Sequence, residues 1–272
     1  MTVYMGHNCW LGTFGRKPST VKPMTKWAIK HDIPMLYNAH FDYNDSGFKD
    51  FTTLPLRTTV DSGGFHTLNT HGEYPWTVAD YDAVVKRSPV DYDWVAPMDY
   101  PIGFDTDRER MEHTFENYQA QVELADYRVM PVLHGGDIDE YLDMYDWYAD
   151  AGYDVDYIGI GGLVPIKAPT RVAEISQRIR DYVPSSVTIH GFGVKFNELK
   201  HGADFDTVDT ATWTYYYSNG KALIYDRDPS KLSYRSFESY KQAMADCFWG
   251  YYCYLRHLLD GKPCEVPRPV VE

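Results

Sequence analysis

Short apolar stretches alternate with helical patterns along most of this chain, and this alternation restricts the fold more than any other feature. Runs suited to strands lie at Ile33–Tyr37, Thr58–Val60, Trp94–Pro97, Val129–Leu133, Tyr157–Ile160, Val187–Ile189 and Phe205–Val208. Helical patterns lie between or after them at Val78–Arg87, Arg108–Ala125, Ile138–Ala151, Thr170–Tyr182 and Ser236–Leu259. Such alternation is typical of parallel strands joined by crossover helices.

Several of these strands end in glycine-rich or polar junctions, such as His134-Gly135-Gly136 and His190-Gly191-Phe192-Gly193. In an eight-stranded barrel all the junctions would lie on the face where active sites are built, whereas a doubly wound sheet would gather only some of them. A length of 272 residues fits one barrel or two small domains, and no linker that would divide the chain is visible. We therefore predict a single-domain α/β protein, a TIM (β/α)8 barrel over residues 1–259 with a proline-containing C-terminal tail at 260–272.

Two of the junctions are acidic. Asp61 follows a β-branched run and precedes Ser62-Gly63-Gly64, and the late segment from Phe205 to Trp213 carries Asp206 and Asp209. Carboxylates at two strand ends suit covalent or acid–base chemistry at one mouth. From the residues alone, each Asp is equally well explained as a turn or N-cap residue.

Composition narrows the function classes. The formal net charge is −13, and an acidic surface argues against general nucleic-acid binding without excluding a local basic groove. Four cysteines in a chain of this length do not make a disulfide framework, which favours a reducing, cytoplasmic location. No leader pattern and no apolar run of membrane-spanning length is visible, so we expect no membrane contact.

Taken together in order, the junctions resemble those of the tRNA-guanine transglycosylase superfamily, whose members exchange guanine for a 7-deazaguanine base on a barrel scaffold. The similar segments are Val60–His66, Val95–Asp99, Pro131–Gly136, Ile158–Leu163 and His190–Gly193. Val208–Trp213 most resembles the form found in the branch that modifies DNA. Phe205-Asp206-Thr207 resembles the form of the tRNA enzymes, and His134 stands where the family has Gln.

The resemblance implies a role for each matching residue. Asp209 is the expected nucleophile, with Asp206 as the alternative, and Asp61 is the expected acid–base group. Breaking an N-glycosidic bond builds positive charge on the anomeric carbon, which a nearby carboxylate stabilises or traps. The residues expected to bind the base are Asp99, His134, Gly135, Gly161, Gly162, Leu163 and Phe65.

The resemblance further implies replacement of guanine by a 7-deazaguanine, preQ0, in DNA through a covalent aspartyl–sugar intermediate. The expected partners are DNA and the free base. Whether a helper protein is required and whether the protein forms a homodimer are left open. The same exchange on tRNA and a non-catalytic transglycosylase-like subunit are alternatives. Nothing after Leu259 matches the RNA-binding module of archaeal relatives, which favours DNA. A virus or plasmid would be a natural source.

A metal is not expected, although the tRNA enzymes of the superfamily bind structural zinc through a Cys-x-Cys-x-x-Cys cluster and a later His. The spacing makes Cys247 the third cysteine, so that Gln242 and Met244 occupy the first two positions, and neither is a usual zinc ligand. We therefore predict no cofactor. A rebuilt site from Cys253, His257 and Cys264, and a metal-dependent hydrolase using His66, His134 and His190 with Asp61, are the alternatives.

Overall fold

The computed structural model of the protein describes residues 2–6, 23–44, 47–48, 57–87, 91–214, 219, 221–225, 233–235 and 240–270. The strands are β1 Thr2–Gly6, β2 Met35–Asn38, β3 Tyr43–Asn44, β4 Gly47–Phe48, β5 Thr58–Asp61, β6 Tyr92–Val95, β7 Val132–Leu133, β8 Tyr157–Ile160, β9 Thr188–Gly191, β10 Thr207–Thr210, β11 Ala222–Ile224 and β12 Ser233–Arg235. The helices are α1 Pro23–Lys30, α2 Gly64–His71, α3 Val78–Lys86, α4 Asp107–Leu124, α5 Ile138–Asp150, α6 Pro169–Tyr182, α7 Phe196–Lys200 and α8 Tyr240–Asp260, with one 3-10 turn at Ala39–Asp42.

Eight of the strands form one parallel sheet in the order β6-β5-β2-β1-β10-β9-β8-β7. Every neighbouring pair within it is parallel. The remaining strands form two antiparallel pairs, β3 with β4 and β11 with β12. The predicted α/β class with parallel strands is confirmed.

The sheet curls strongly. Tyr4 on β1 and Trp94 on β6 are separated by two intervening strands, yet their ring centroids lie 5.6 Å apart in an edge-to-face contact. At the outer strands, Val95 forms a parallel bridge with Val129, and the Val95 N–H donates to the Arg128 carbonyl oxygen at 2.9 Å. Side chains from distant strands therefore meet on the concave face of the sheet.

Helix starts are set by local capping chemistry. Thr77, Thr106 and Asp137 each accept a hydrogen bond from the backbone N–H three residues later, and an acidic side chain at that position returns the bond. These capping boxes satisfy N–H groups that have no partner inside the helix. They place α3, α4 and α5 at the positions that the sequence predicts.

Outside the sheet, helix α8 supplies much of the core. Its side chains Phe248, Tyr251, Tyr254 and Leu255 are completely buried. The Trp213 indole, also completely buried, donates to the Gly6 carbonyl oxygen at 3.0 Å and joins the end of β1 to the residues after β10. Among the described helices, none is both long and apolar enough to cross a membrane.

The predicted strands all overlap strands of the sheet, but two are displaced. The strand predicted at Trp94–Pro97 lies at Tyr92–Val95, and the one predicted at Phe205–Val208 lies at Thr207–Thr210. Strand β1 was not predicted, because a short apolar run without a flanking turn signal carries little local information. Residues 236–239 of the last predicted helix lie outside the described residues.

Candidate active site

Asp61 ends strand β5 in a tight turn. Gly63 has a φ of +81°, a left-handed value that favours glycine, and a Cβ there would lie 2.7 Å from the Cβ of His40. Within the turn the Gly63 N–H donates to Asp61 Oδ1 at 3.1 Å, and Asn38 Nδ2, at the end of β2, donates to Oδ2 at 2.7 Å. Both oxygens of the carboxyl group are therefore held in place.

The environment of Asp61 keeps this carboxyl group protonated at neutral pH. Burial and the neighbouring charges of Asp99 and Asp209 raise its pKa from 3.8 to about 8, although hydrogen bonds from Gly63 and Asn38 act in the opposite direction. Burial disfavours the charged form, and like charges nearby disfavour it further. A protonated carboxyl group beside two others is suited to donate a proton.

Asp99 lies just beyond β6 and is fixed on both oxygens. Ser62 Oγ donates to Oδ1 at 3.0 Å, and His134 Nε2 lies 2.9 Å from Oδ2. The Tyr74 hydroxyl donates to the Asp99 carbonyl oxygen at 2.8 Å. Since a carboxylate oxygen accepts more than one hydrogen bond, Asp99 retains acceptor capacity toward the pocket that it lines.

Asp209 lies in strand β10 and is 8% exposed. Its Oδ1 accepts the Gly193 N–H at 2.8 Å, and His190 Nε2 lies 3.3 Å from the same oxygen. His190 is completely buried, and burial lowers its pKa, so its ring is neutral at physiological pH. The Gly193 N–H and the His190 ring therefore hold the same oxygen, Oδ1.

One cavity of about 620 Å³ brings these groups together at the carboxyl ends of the strands. Its walls contain Asp61, Asp99 and Asp209 from three different strand ends. The volume lies in the range typical of small-molecule sites. The predicted convergence of Asp61 and Asp209 on one mouth therefore matches the geometry, and so does the placement of Asp99.

Asp206 lies elsewhere and does not line this cavity. Its carboxylate pairs with Arg180 on helix α6, and Oδ2 accepts the Ile189 N–H at 2.8 Å. Asp206 precedes β10, whereas Asp209 lies within it, because the strand begins two residues later than predicted. This geometry disfavours Asp206, the alternative nucleophile of the sequence analysis.

The predicted base-binding residues separate into two groups. Phe65, Gly161, Gly162 and Leu163 line the cavity, but the Gly161 N–H donates to the Leu133 carbonyl oxygen at 2.9 Å and is not available to a base. A Cβ on Gly161 would overlap the ring of the buried His134, which explains the need for glycine there.

His134 and Gly135 are not among the residues that line the cavity. That His134 binds the base carbonyl stays a prediction, and in the structure its Nε2 lies 2.9 Å from Asp99 Oδ2. A Cβ added at Gly135 would lie about 3 Å from atoms of Asp137, Glu140 and Tyr141, and the backbone contact of Gly135 with the base stays a prediction.

Two groups at this site, Asn38 and the Gly193 N–H, are not among the predicted site residues. Asn38 anchors Asp61, and the Gly193 N–H anchors Asp209. A signal existed for both, because Asn38 is the polar residue directly after an apolar strand and Gly193 lies in a glycine-rich junction. Their partners depend on which strands become neighbours, and local pattern does not contain that information.

Among the described residues, no group of three or more His, Cys, Asp or Glu side chains is arranged to hold a metal ion. His134 and His190 face different carboxylates, those of Asp99 and Asp209, which disfavours the metal-hydrolase alternative.

The zinc positions of the superfamily do not fit a metal here. The Cys247 thiol donates to the Lys221 carbonyl oxygen at 3.0 Å, and Gln242 Nε2 donates to Asp246 Oδ1 at 2.8 Å. In the alternative cluster, His257 Nδ1 lies 3.0 Å from the Tyr225 hydroxyl. A hydrogen bond from Cys253 lowers the pKa of Cys264 to about 7.

Direct contacts fasten the C-terminal tail to helix α8. Arg268 makes two bonds of 2.6 Å to the buried Asp246, one to each carboxylate oxygen. Trp249 Nε1 donates to the Val266 carbonyl oxygen at 2.8 Å, and Trp27 Nε1 donates to that of Pro267 at 2.9 Å. Residues 261–270 therefore pack on the domain without regular secondary structure.

Comparison with known proteins finds one matching family. The model of the family DpdA, described as DeoxyPurine in DNA protein A, matches residues 48–224, which is more than half of the chain. The matched range contains the strand ends that carry Asp61, Asp99 and Asp209. No individually curated protein matches the chain.

Proposed function

Because the chain belongs to the DpdA family, a tRNA-guanine transglycosylase-like family involved in 7-deazaguanine modification of DNA, we propose that it replaces guanine with a 7-deazaguanine base in DNA. The proposed incoming base is preQ0, and the proposed route passes through a covalent aspartyl–sugar intermediate. The observation that carries this proposal is the convergence of Asp61, Asp99 and Asp209 on one cavity of about 620 Å³.

Asp209 is the proposed nucleophile. Its carboxylate oxygen attacks the anomeric carbon of deoxyguanosine, the glycosidic bond to the base nitrogen breaks, and the bonding pair leaves with guanine. The Gly193 N–H and His190 hold the other oxygen of the same carboxylate. A covalent ester divides one difficult displacement into two easier ones.

Asp61 is the proposed proton carrier. Its raised pKa, about 8, means that it enters the reaction protonated at neutral pH and can neutralise the departing guanine. The resulting carboxylate then takes the ring N–H proton of the incoming base. That base nitrogen attacks the anomeric carbon, the ester to Asp209 breaks, and both carboxyl groups return to their starting states.

Asp99 is the proposed reader of the base edge. Guanine and 7-deazaguanine both present an N–H and an amino group on one edge, and the free lone pairs of a carboxylate accept such a pair. Ser62 and His134 fix the direction of these lone pairs. Phe65 offers an apolar wall for the flat ring.

The target nucleotide must leave the base stack, since a stacked base hides its sugar carbon from a nucleophile. The opening at the carboxyl ends of the strands carries Lys195 on its rim within an acidic protein. We therefore expect single-stranded or locally opened DNA to be the better substrate.

The scaffold that supports this chemistry is, in our proposal, a complete (β/α)8 barrel over residues 1–259. The bridge between Val95 and Val129 supports closure, because it joins the outer strand β6 to the segment that leads into the other outer strand, β7. A closed barrel directs every strand end toward one mouth.

The decisive experiment is base exchange. Purified protein is incubated with radiolabelled guanine or preQ0 and with DNA or tRNA in separate reactions, and nucleosides are analysed by mass spectrometry. We expect label in DNA. Label confined to tRNA would refute the DNA assignment.

Variants test the roles. Asp209→Asn should abolish exchange and the covalent adduct on denaturing gels, whereas Asp206→Asn, a carboxylate outside the cavity, should retain exchange if the protein folds. Full exchange by purified Asp209→Asn would refute Asp209 as the nucleophile. The non-catalytic subunit would be supported instead if exchange required a partner transglycosylase and survived this change.

Three further expectations stay predictions. Adding back cell lysate to an inactive purified protein tests for a helper protein, light scattering tests for a homodimer, and cell fractionation tests the cytoplasmic location.

A further inference from the structure

A continuous line of hydrogen-bonded side chains runs from Asp209 into the interior of the curled sheet. His190 Nε2 lies 3.3 Å from Asp209 Oδ1, and His190 Nδ1 lies 2.8 Å from Thr207 Oγ1. Thr207 Oγ1 lies 2.7 Å from the Tyr157 hydroxyl, which accepts the Trp94 indole N–H at 3.1 Å. These residues come from four different strands.

The chemistry of the two ends determines the direction of every bond in this line. The indole of Trp94 can only donate, and an ionised Asp209 can only accept. His190 must then carry its hydrogen on Nε2, and its Nδ1 must accept from Thr207. Thr207 in turn accepts from Tyr157, so all the donors point toward the carboxylate.

The surroundings of His190 preserve this arrangement. Trp94 and Phe192 each lie 4.7 Å from the His190 ring, and Tyr4 lies 5.8 Å from it. The ring is completely buried among them and cannot turn freely. Burial also lowers the pKa of His190, which keeps the ring neutral and leaves it one N–H donor.

The two carboxylate oxygens of Asp209 have different surroundings. Both N–H groups, those of Gly193 and His190, are directed at Oδ1. Within the part of the chain that the structure describes, Asp209 Oδ2 has no hydrogen-bond partner, and Asp209 lines the cavity. One oxygen is therefore an anchor, and the other is available for attack.

Building on the function proposed above, we propose that His190 is a positioning residue that orients Asp209 so that Oδ2 meets the anomeric carbon. Thr207 and Tyr157 set the tautomer of His190 and so act through it. Among the described residues, the hydrogen bonds of Asp99 run to Ser62, Tyr74 and His134 and not to this line, so loss of the line should affect the chemical step more than base binding.

Kinetics of base exchange on DNA test this assignment. His190→Leu, which removes the donor, should lower kcat by about 10- to 100-fold, the effect of one charge-assisted hydrogen bond. KM for the free base should change by less than about twofold. His190→Gln, which retains an N–H near the Nε2 position, should recover most of the loss. Thr207→Val should lower kcat by about three- to tenfold.

The matched control is His201→Gln, because His201 is exposed and its ring bonds only the Asn197 carbonyl oxygen at 2.7 Å in the described structure. It should behave as wild type. Wild-type kcat in both His190→Leu and Thr207→Val, with Asp209→Asn inactive, would overturn the positioning role and leave the proposed function standing. Full exchange by Asp209→Asn would overturn both.

A readout independent of activity is the tautomer itself. Nitrogen-15 NMR of histidine-labelled protein, with the His190 signals assigned by their loss in His190→Gln, should show a neutral ring protonated on Nε2. Asp209→Asn should change this tautomer signal. A ring protonated on Nδ1 in the wild type would refute the proposed direction of the line.

Discussion

Replacing Asp61 with Asn should make the protein more resistant to unfolding at alkaline pH. The pKa of Asp61 is raised from 3.8 to about 8 in the folded chain, so the folded state retains a proton that the unfolded state releases. The contribution of this group to stability is therefore complete below pH 3.8 and is lost as the pH rises toward about 8. An amide cannot ionise and does not suffer this loss.

The size of the effect follows from one bound proton. Each pH unit inside the window removes about 1.4 kcal/mol from the wild-type free energy of unfolding, so about 4 kcal/mol is lost between about pH 5 and about pH 8. The amide introduced by Asp61→Asn accepts at one oxygen only and so loses one bond from Asn38 or Gly63, a cost of about 1 kcal/mol at every pH.

Urea unfolding followed by tryptophan fluorescence, from about pH 5 to about pH 9, measures both curves. We expect the difference between Asp61→Asn and wild type to grow steadily in favour of the variant and then to level off near pH 8. Asp80→Asn is the control, because hydrogen bonds from Thr77 lower the pKa of Asp80 and place its titration below this range. A difference for Asp61→Asn that stays constant with pH would refute the burial argument.

Three more predictions concern rate, binding and stability. The exchange rate should fall above about pH 8, where the proton on Asp61 is lost, and an initial-rate profile that stays level to about pH 10 would contradict this role. Gly161→Ala should push His134 away from the Asp99 carboxylate, because the new Cβ would overlap the His134 ring. Binding of the free base, measured by calorimetry, should weaken at least about tenfold, and an unchanged affinity would show that the His134–Asp99 pair is unimportant for binding. Arg268→Met should destabilise the fold by about 2 kcal/mol in urea, since Asp246 is 4% exposed and loses its guanidinium partner, and an unchanged midpoint would mean that the tail is not fastened there.

Local sequence pattern predicted the strands and the turns after them, because these elements depend on short stretches of chain. Apolar runs and the glycine-rich turns after them are consequences of chain geometry over a few residues, so the predicted strands all overlap observed ones. Parallel strands release their carboxyl ends at the same edge, and for that reason the sequence could place Asp61, Asp99 and Asp209 at one mouth. The family resemblance, which rests on the same turns, was confirmed by the match over residues 48–224.

Pattern failed where the answer depended on register. Asp206 and Asp209 are three residues apart, and a two-residue displacement of the strand start determines which of them lies in the strand and faces the cavity. A change in register redirects side chains to the opposite face of a strand, so small errors have large consequences.

The amino-acid order was sufficient to predict the class of fold, the edge of the sheet at which the site forms and the family, because each was inferred from patterns of residues close together in the chain. The anchoring of Asp209, the raised pKa of Asp61 and the hydrogen-bonded line beneath Asp209 emerged only after folding. They depend on burial and on neighbours from distant strands, and the electrostatic energy of a carboxyl group is set by whatever surrounds it in space rather than by what precedes it in the chain.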